Sequence, residues 1–257
     1  MLTKEEQKKV IDLVCQTKTL IDQELEHAKI TVKGAADYVT NVDFAVQNFL
    51  KRELEELFPE ILLIAEEKEN LNLDAKKRYW ILDPIDGTTN LIHHFGMSAV
   101  SLGLYEDGEI TFGVVYNPFH EELFTGVKGE GAFLNGEKIH VSEIAELKDA
   151  VIGYGSSPYE KENAKESFSL FYRLFINCAD FRRMGAAALD LCYVACGRQE
   201  GFFEKNLKPW DYAAGSVILT EAGGVITDWK GEKLPYLRNS EVFCCSKKIE
   251  KELRKLF

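Results

Sequence analysis

Apolar residues recur at helical spacing near the start of the chain, at Val10, Ile11, Val14, Leu20, Ile21 and Leu25 with charges between them. That period predicts an opening helix over residues 4–29. Residues 31–37 interrupt it with a glycine and small side chains. Thr40 or Asn41 can then cap a second helix reaching about Leu57, ended by Phe58-Pro59-Glu60. Residues 61–65 and 79–82 are short continuous apolar runs of the buried-strand type, each delivering the chain into acidic residues. From Ser98 to about His140 the chain reads as strands and turns, with Glu106-Asp107-Gly108 at the tip of a hairpin, so a large antiparallel sheet is expected. Beyond residue 150 the pattern alternates: strand 151–155, helix 160–176, strand 179–183, helix 186–196, strand 201–204, helix 211–222, strands near 225 and 242, and a closing helix 246–257. Helices layered on sheets without strict β-α-β repetition predict a mixed α/β sandwich of two lobes. The lobes divide as 1–145, with the large antiparallel sheet and most of the clustered acids, and 146–257, which supplies one further acid and the alternating helices and strands.

Composition narrows this picture. A chain of 257 residues, 46% hydrophobic and 28% charged, has the balance of a packed globular protein and the length for one large domain or two lobes on a continuous core. Lysine and arginine total 31 against 42 aspartate and glutamate, a net charge of −11. This is the wrong sign for a nucleic-acid partner, and it would repel a phosphate ester unless cations gather where the ester binds. No basic-plus-apolar leader opens the sequence and no apolar run approaches the ~20 residues of a membrane span, so a cytoplasmic protein without a membrane partner is expected. The six cysteines form no CxxC pair and read as reduced core thiols; Cys192 and Cys196, four apart on a predicted helix, fit packing better than metal ligation.

The chemistry concentrates in Asp83-Pro84-Ile85-Asp86-Gly87-Thr88-Thr89-Asn90. Two carboxylates three apart straddle a proline at a strand end, and a glycine followed by two threonines offers backbone N–H groups to an anion. Alone, the segment could be a solvated Asp-Pro, Asp-Gly turn. Glu66-Glu67 ends the preceding strand, however, and Asp211 sits where a helix N-cap is expected. Convergence of these ends would put up to five negative charges in one cleft, and such a cluster needs cations. Oxygen ligands without nitrogen or sulfur select Mg2+, Mn2+ or Ca2+. Thr40 and Asp43 read as a capping box of the second helix, and His93-His94 as a surface turn.

Residues 83–90, together with Ala65-Glu66-Glu67, Lys208-Pro209-Trp210-Asp211-Tyr212-Ala213-Ala214-Gly215, Glu221-Ala222-Gly223-Gly224 and Gly129-Glu130-Gly131-Ala132-Phe133-Leu134-Asn135-Gly136, resemble the signatures of the inositol monophosphatase family. The resemblance runs from about residue 5 to the C-terminus. It implies a layered α-β-α-β-α sandwich of the sugar-phosphatase type, with mixed and antiparallel sheets. It also implies hydrolysis of a small phosphate monoester by metal-activated water with two to three Mg2+ ions, Mn2+ as a substitute, and Li+ and Ca2+ as inhibitors. Glu66, Asp83 and the Ile85 carbonyl would hold one ion; Asp83, Asp86 and Asp211 a second; Glu66 and water a third. Thr88 would orient the attacking water, with Glu66, Glu67 or the Thr40–Asp43 pair helping to take its proton. Gly87 and Thr88 would bind the phosphate, Asp86, Gly185, Ala187 and Glu204 the alcohol, and Lys33 would lie in a mobile loop. A homodimer is implied as well. Leu91 replaces the family's usual phenylalanine, and Ala186 stands where several animal members carry a hydroxyl. The alcohol stays open among a polyol or sugar phosphate, fructose 1,6-bisphosphate, a 3′-phosphoadenosine nucleotide and the 2′-phosphate of NADP. A non-catalytic metal-binding regulator is the remaining alternative.

Overall fold

The computed structural model describes residues 1–34, 37–67, 73–158 and 160–257. Helices α1 (Lys4–Leu25) and α2 (Asn41–Leu57) form an outer layer whose apolar stripe, including Val10, Val14, Ile21, Val46 and Leu50, packs on one face of a large sheet. Between them lies a hairpin, β1 (Ile30–Gly34) and β2 (Asp37–Thr40), that joins neither large sheet. It occupies most of the predicted break at 31–37, of which residues 35 and 36 lie outside the described residues. Alternation could not reveal β1, because the whole strand is exposed and has no buried face to mark it.

The large sheet has the order β3-β4-β5-β6-β7-β8-β9. Its strands are β3 (Leu62–Ala65), β4 (Tyr79–Asp86), β5 (Ala99–Glu106), β6 (Glu109–Asn117), β7 (Glu122–Val127), β8 (Gly131–Leu134) and β9 (Glu137–Lys138). β3 and β4 are parallel and the remaining pairs antiparallel. The short α3 (Thr88–Ile92) follows β4. A second sheet, ordered β11-β10-β12-β14-β13, contains β10 (Val151–Tyr154), β11 (Asp180–Arg182), β12 (Gly201–Leu207), β13 (Val225–Thr227) and β14 (Ser240–Cys245). Helices α5 (Ala187–Ala195) and α6 (Pro209–Glu221) are sandwiched between the two sheets, and α4 (Ala164–Phe175) and α7 (Glu250–Arg254) cover the far side of the second. The layers therefore run α-β-α-β-α, as the resemblance implies. The closing helix is shorter than the predicted 246–257, and 3-10 turns precede α4.

A row of small residues fixes how α6 lies on the large sheet. Gly103, Gly113, Gly126 and Ala132 stand opposite one another across β5, β6, β7 and β8. A Cβ on Gly113 would come within 2.6 Å of the Ala214 carbonyl oxygen, and one on Gly126 within 2.7 Å of Ile218 Cα. The backbone of α6 thus rests on the sheet itself, and this contact carries Asp211 to the end of β4. All six cysteines are free, and Cys192, Cys244 and Cys245 are buried.

Candidate active site

β4 does not stop at Leu82 but continues through both aspartates to Asp86. The register to β5 slips between Asp83 and Asp86, because Pro84 has no N–H for the ladder. Ile85 N–H turns back to donate to Asp83 Oδ1 at 3.0 Å, which releases this stretch from regular pairing. Gly87 then adopts φ +88° before α3, and a Cβ there would lie 2.9 Å from the Met97 carbonyl oxygen, so the turn requires glycine. The Asn90 amide donates to Met97 O (2.7 Å) and Met184 O (2.9 Å), tying this turn to the loop before α5. Ser98 Oγ donates to Gly87 O at 2.9 Å.

Thr88 Oγ1 sits 3.1 Å from Asp43 Oδ1 and 3.2 Å from the Ile85 carbonyl oxygen. Asp43 Oδ2 accepts from Thr40 N–H at 2.8 Å and from the Thr40 hydroxyl at 2.6 Å, completing the capping box of α2. One buried carboxylate therefore caps the helix and also meets Thr88. Burial raises the Asp43 carboxyl above its ordinary range, against the lowering effect of the Thr40 and Thr88 bonds.

Glu66 follows β3 and extends its ladder, its N–H donating to Leu82 O at 3.3 Å. Gln47 of α2 clasps the backbone of Glu67 from both sides, at 3.0 and 3.1 Å. Lys33 of β1 reaches across to Glu66 Oε1 at 3.4 Å and pairs also with Glu67. Asp86 Oδ2 accepts from Ala188 N–H at 2.7 Å in the first turn of α5. Asp211 occupies the third position of α6 rather than its N-cap: Pro209 is the first helical residue, and the Asp211 carboxylate accepts from Lys208 N–H at 2.7 Å. Both helix N-termini are thus directed at the acids.

These carboxylates act on one another. Burial, with repulsion from Glu67 and Asp43, pushes Glu66 up to about 7 against the pull of Lys33 and a hydrogen bond with Asp83. Burial and the charges of Glu66 and Glu204 push Asp86 up to about 7, although the α5 amides oppose it. Asp83 and Asp211 rise well above the usual carboxylate range, Asp83 through burial and then Glu66, Asp86 and Asp211, and Asp211 through burial and then Asp86 and Glu66. Among the described residues no three of these side chains close into a coordination cage. Like charges held apart by separate backbone donors share a cleft without collapsing to a point. The donor set nonetheless fits a hard divalent cation: it is all oxygen, it is strained by its own charge, and each aspartate spends an oxygen on a backbone N–H while keeping lone pairs for a metal.

On the far side of the cleft, Gly185 adopts φ +84° ahead of the buried Ala186 and Ala187 at the start of α5. Glu204 lies within β12 rather than at its end, since the strand runs three residues further with a register slip after it. Glu204 Oε1 accepts from Ser157 N–H at 2.9 Å, and any side chain on Gly155 would overlap its carboxyl. Burial raises Glu204, while Ser157 and the Arg183 charge lower it. Sequence reasoning misses Arg183 and Ser157; the doublet Arg182-Arg183 before Met184-Gly185 is the available signal for the first, whereas nothing in the sequence around Ser157 marks its contact with Glu204 through both backbone and side chain. His93 and His94 are exposed just past the end of α3. The Glu221 carboxylate accepts from Gly129 N–H (2.8 Å) and Gly131 N–H (2.9 Å), so two segments of the resemblance lock α6 to the β7–β8 turn and take no part in the cleft.

A layered sandwich with this acid cleft between a strand end and two helix N-termini is the architecture of a phosphatase-type site. A model of the inositol monophosphatase family matches residues 3–256, and the chain belongs to that family. It is 42% identical over 207 residues to the Nus factor SuhB of Vibrio cholerae, covering 80% of this chain and 77% of that protein. It is 38% identical over 233 residues to an inositol-1-monophosphatase of Rhizobium meliloti, covering 91% and 87%. The solved structure of an IMPase/NADP phosphatase complexed with Mg2+ and phosphate superposes with a TM-score of 0.88 at 28% identity, over 97% of this chain and 95% of that one. Further solved structures described as IMPase/NADP phosphatases hold D-inositol-1-phosphate, or NADP and Ca2+. The family and these relatives support a phosphatase and a dependence on metal.

Proposed function

We propose that the protein is a Mg2+-dependent hydrolase of a small phosphate monoester, a polyol or sugar phosphate of the inositol monophosphate type. The observation that carries this reading is the convergence of Glu66, Asp83, Asp86 and Asp211 at the end of β4 and the N-termini of α5 and α6, with Lys33 paired to Glu66. Two to three divalent ions would be held by Glu66, Asp83, Asp86, Asp211 and the Ile85 carbonyl. When bound, they would offset the charge of the ester and supply water as a nucleophile near neutral pH. Thr88 would orient that water, its hydroxyl poised between Asp43 and the Ile85 carbonyl. Its proton would pass to Glu66, to Glu67 or to the Thr40–Asp43 pair. Gly87 and Thr88 N–H groups at the start of α3 would hold the phosphate. Asp86, Gly185, Ala187 and Glu204 would line the alcohol side, with Arg183 opposite Glu204. Li+ and Ca2+ would inhibit by taking the cation positions. Lobe 1–145 would supply most metal ligands and lobe 146–257 Asp211 and the alcohol contacts. A homodimer is supported by the exposed apolar stripe of Phe168, Tyr172 and Phe175 along α4 and Ile176 just past its end.

One solved structure of a relative, an IMPase/NADP phosphatase complexed with NADP, favours a second reading, the same chemistry on a nucleotide 2′-phosphate. Phosphate release from inositol 1-phosphate, fructose 1,6-bisphosphate, a 3′-phosphoadenosine nucleotide and NADP, each with Mg2+, decides between them. The proposal expects the highest kcat/KM on inositol 1-phosphate; a preference for NADP would replace it with the second reading, and release from none would remove both.

A further inference from the structure

Side chains alternate along a strand, and on β12 this separates two environments. Phe202 lies with the middle helical layer, on the side of Glu204, whereas Phe203 packs in the cluster beneath α4, on the side of Lys205. Below Lys205 the chain encloses a cleft of about 110 Å3, lined by Glu166, Leu170 and Arg173 of α4 and by Lys205, Trp229 and Phe257. None of these residues belongs to the acid cluster or to the α5 turn.

Leu170, Trp229 and Phe257 form the apolar part of the lining, and Glu166, Ser167, Arg173 and Lys205 the polar part. Trp229 donates its indole N–H to Val242 O at 3.1 Å, and its ring meets that of Phe257 edge-on at 5.2 Å. The Trp229 face is thereby fixed, and the Lys205 ammonium lies 5.2 Å from its centre. Lys205 pairs with Glu166 at 2.8 Å, but the Glu166 side chain is 70% exposed, so water and salt compete for that pair. Arg173 Nε donates to Leu256 O at 3.2 Å, and its terminal nitrogens have no protein acceptor among the described residues. Among the side chains lining the cleft, two are cationic and one is an exposed acid, beside an aromatic floor.

We propose that this cleft is a binding site for a small organic anion, a monocarboxylate with an apolar body, set on the opposite face of β12 from Glu204. The carboxylate would meet the Arg173 fork in the planar, two-bonded geometry that guanidinium favours. Lys205 would leave Glu166 to join it, and the body would rest against Trp229, Leu170 and Phe257. The volume lies below the roughly 300–1,000 Å3 of sites for larger ligands, which limits the body to one small ring or a short chain.

Benzoate is a direct probe, titrated calorimetrically into the full chain with Mg2+ and saturating inorganic phosphate present to fill the acid cleft. The expected result is saturable binding, with benzyl alcohol and sulfate each weaker by about tenfold or more, since each lacks one half of the recognition. Arg173→Met, an exposed helix position, should weaken benzoate by about tenfold at unchanged melting temperature and unchanged phosphate release, and Lys205→Met should do likewise. No saturable heat at millimolar benzoate would overturn the proposal. So would an affinity unchanged in both variants, or benzoate binding that occurs only when phosphate is left out, which would put the ligand in the acid cleft.

Discussion

At the scale of single residues, the proposed reaction gives Asp83 and Glu204 different parts. Asp83 is buried, bonded to Ile85 N–H and Glu66, and raised by four other acids, which makes it the position where a shared cation would relieve most repulsion. Asp83→Asn removes that charge at nearly constant shape and should lower turnover by about 100-fold or more, equivalent to several kcal/mol of lost electrostatic stabilisation. Steady-state kinetics at saturating Mg2+ checks this, and near-native turnover would contradict the role. Glu204 is instead held by Ser157 N–H and faced by Arg183, away from the bulged turn. Glu204→Ala should raise KM for inositol 1-phosphate by about tenfold, the worth of one charged hydrogen bond. Hydrolysis of p-nitrophenyl phosphate, which has no hydroxyls to offer, should hardly change; equal losses on both esters would reassign Glu204 to metal binding or folding.

At the scale of elements, α6 delivers Asp211 only because the sheet beneath it lacks side chains. Gly113→Val would drive a branched side chain into the Ala214 carbonyl and Val217, lifting the helix. It should cost on the order of 1–3 kcal/mol of stability and reduce Mg2+ affinity as well, because Asp211 moves with its helix. Denaturant melts and metal calorimetry on that variant separate the two effects. Elements were legible wherever burial imposed a period, as in α1 and α2, in the hairpins of the large sheet and in the acid turn at residues 83–90. β1 was illegible because Ile30 and Val32 are exposed, and the continuation of β4 through Asp83 and Asp86 was hidden because acids are unusual inside a buried strand. The position of Asp211 followed from Pro209, which takes the first helical place and moves the cap to Lys208. The resemblance named the cleft residues; the tie from Glu221 to Gly129 and Gly131 required the fold, since 90 residues separate its ends.

At the scale of the whole molecule, a protein of charge −11 keeps four acids in one cleft at the expense of stability without metal. Glu66 and Asp86 titrate at about 7 in the folded chain, against roughly 4 for an unfolded carboxylate. The folded state binds more protons between these values, so the stability of the metal-free protein should fall as pH rises from about 4 to 7. Melting in EDTA should therefore show a decline across that window, and added Mg2+ should raise the melting temperature most at its upper end. A flat profile, unchanged by Mg2+, would mean that the acids are solvated and uncoupled. Under the proposed function this cleft works as a phosphatase only with divalent cations. The most direct measurement is phosphate release from inositol 1-phosphate as Mg2+ is withdrawn with EDTA and then restored. Loss of release in chelator and recovery on adding back Mg2+ is the expected result, and release that persists in excess EDTA would contradict it.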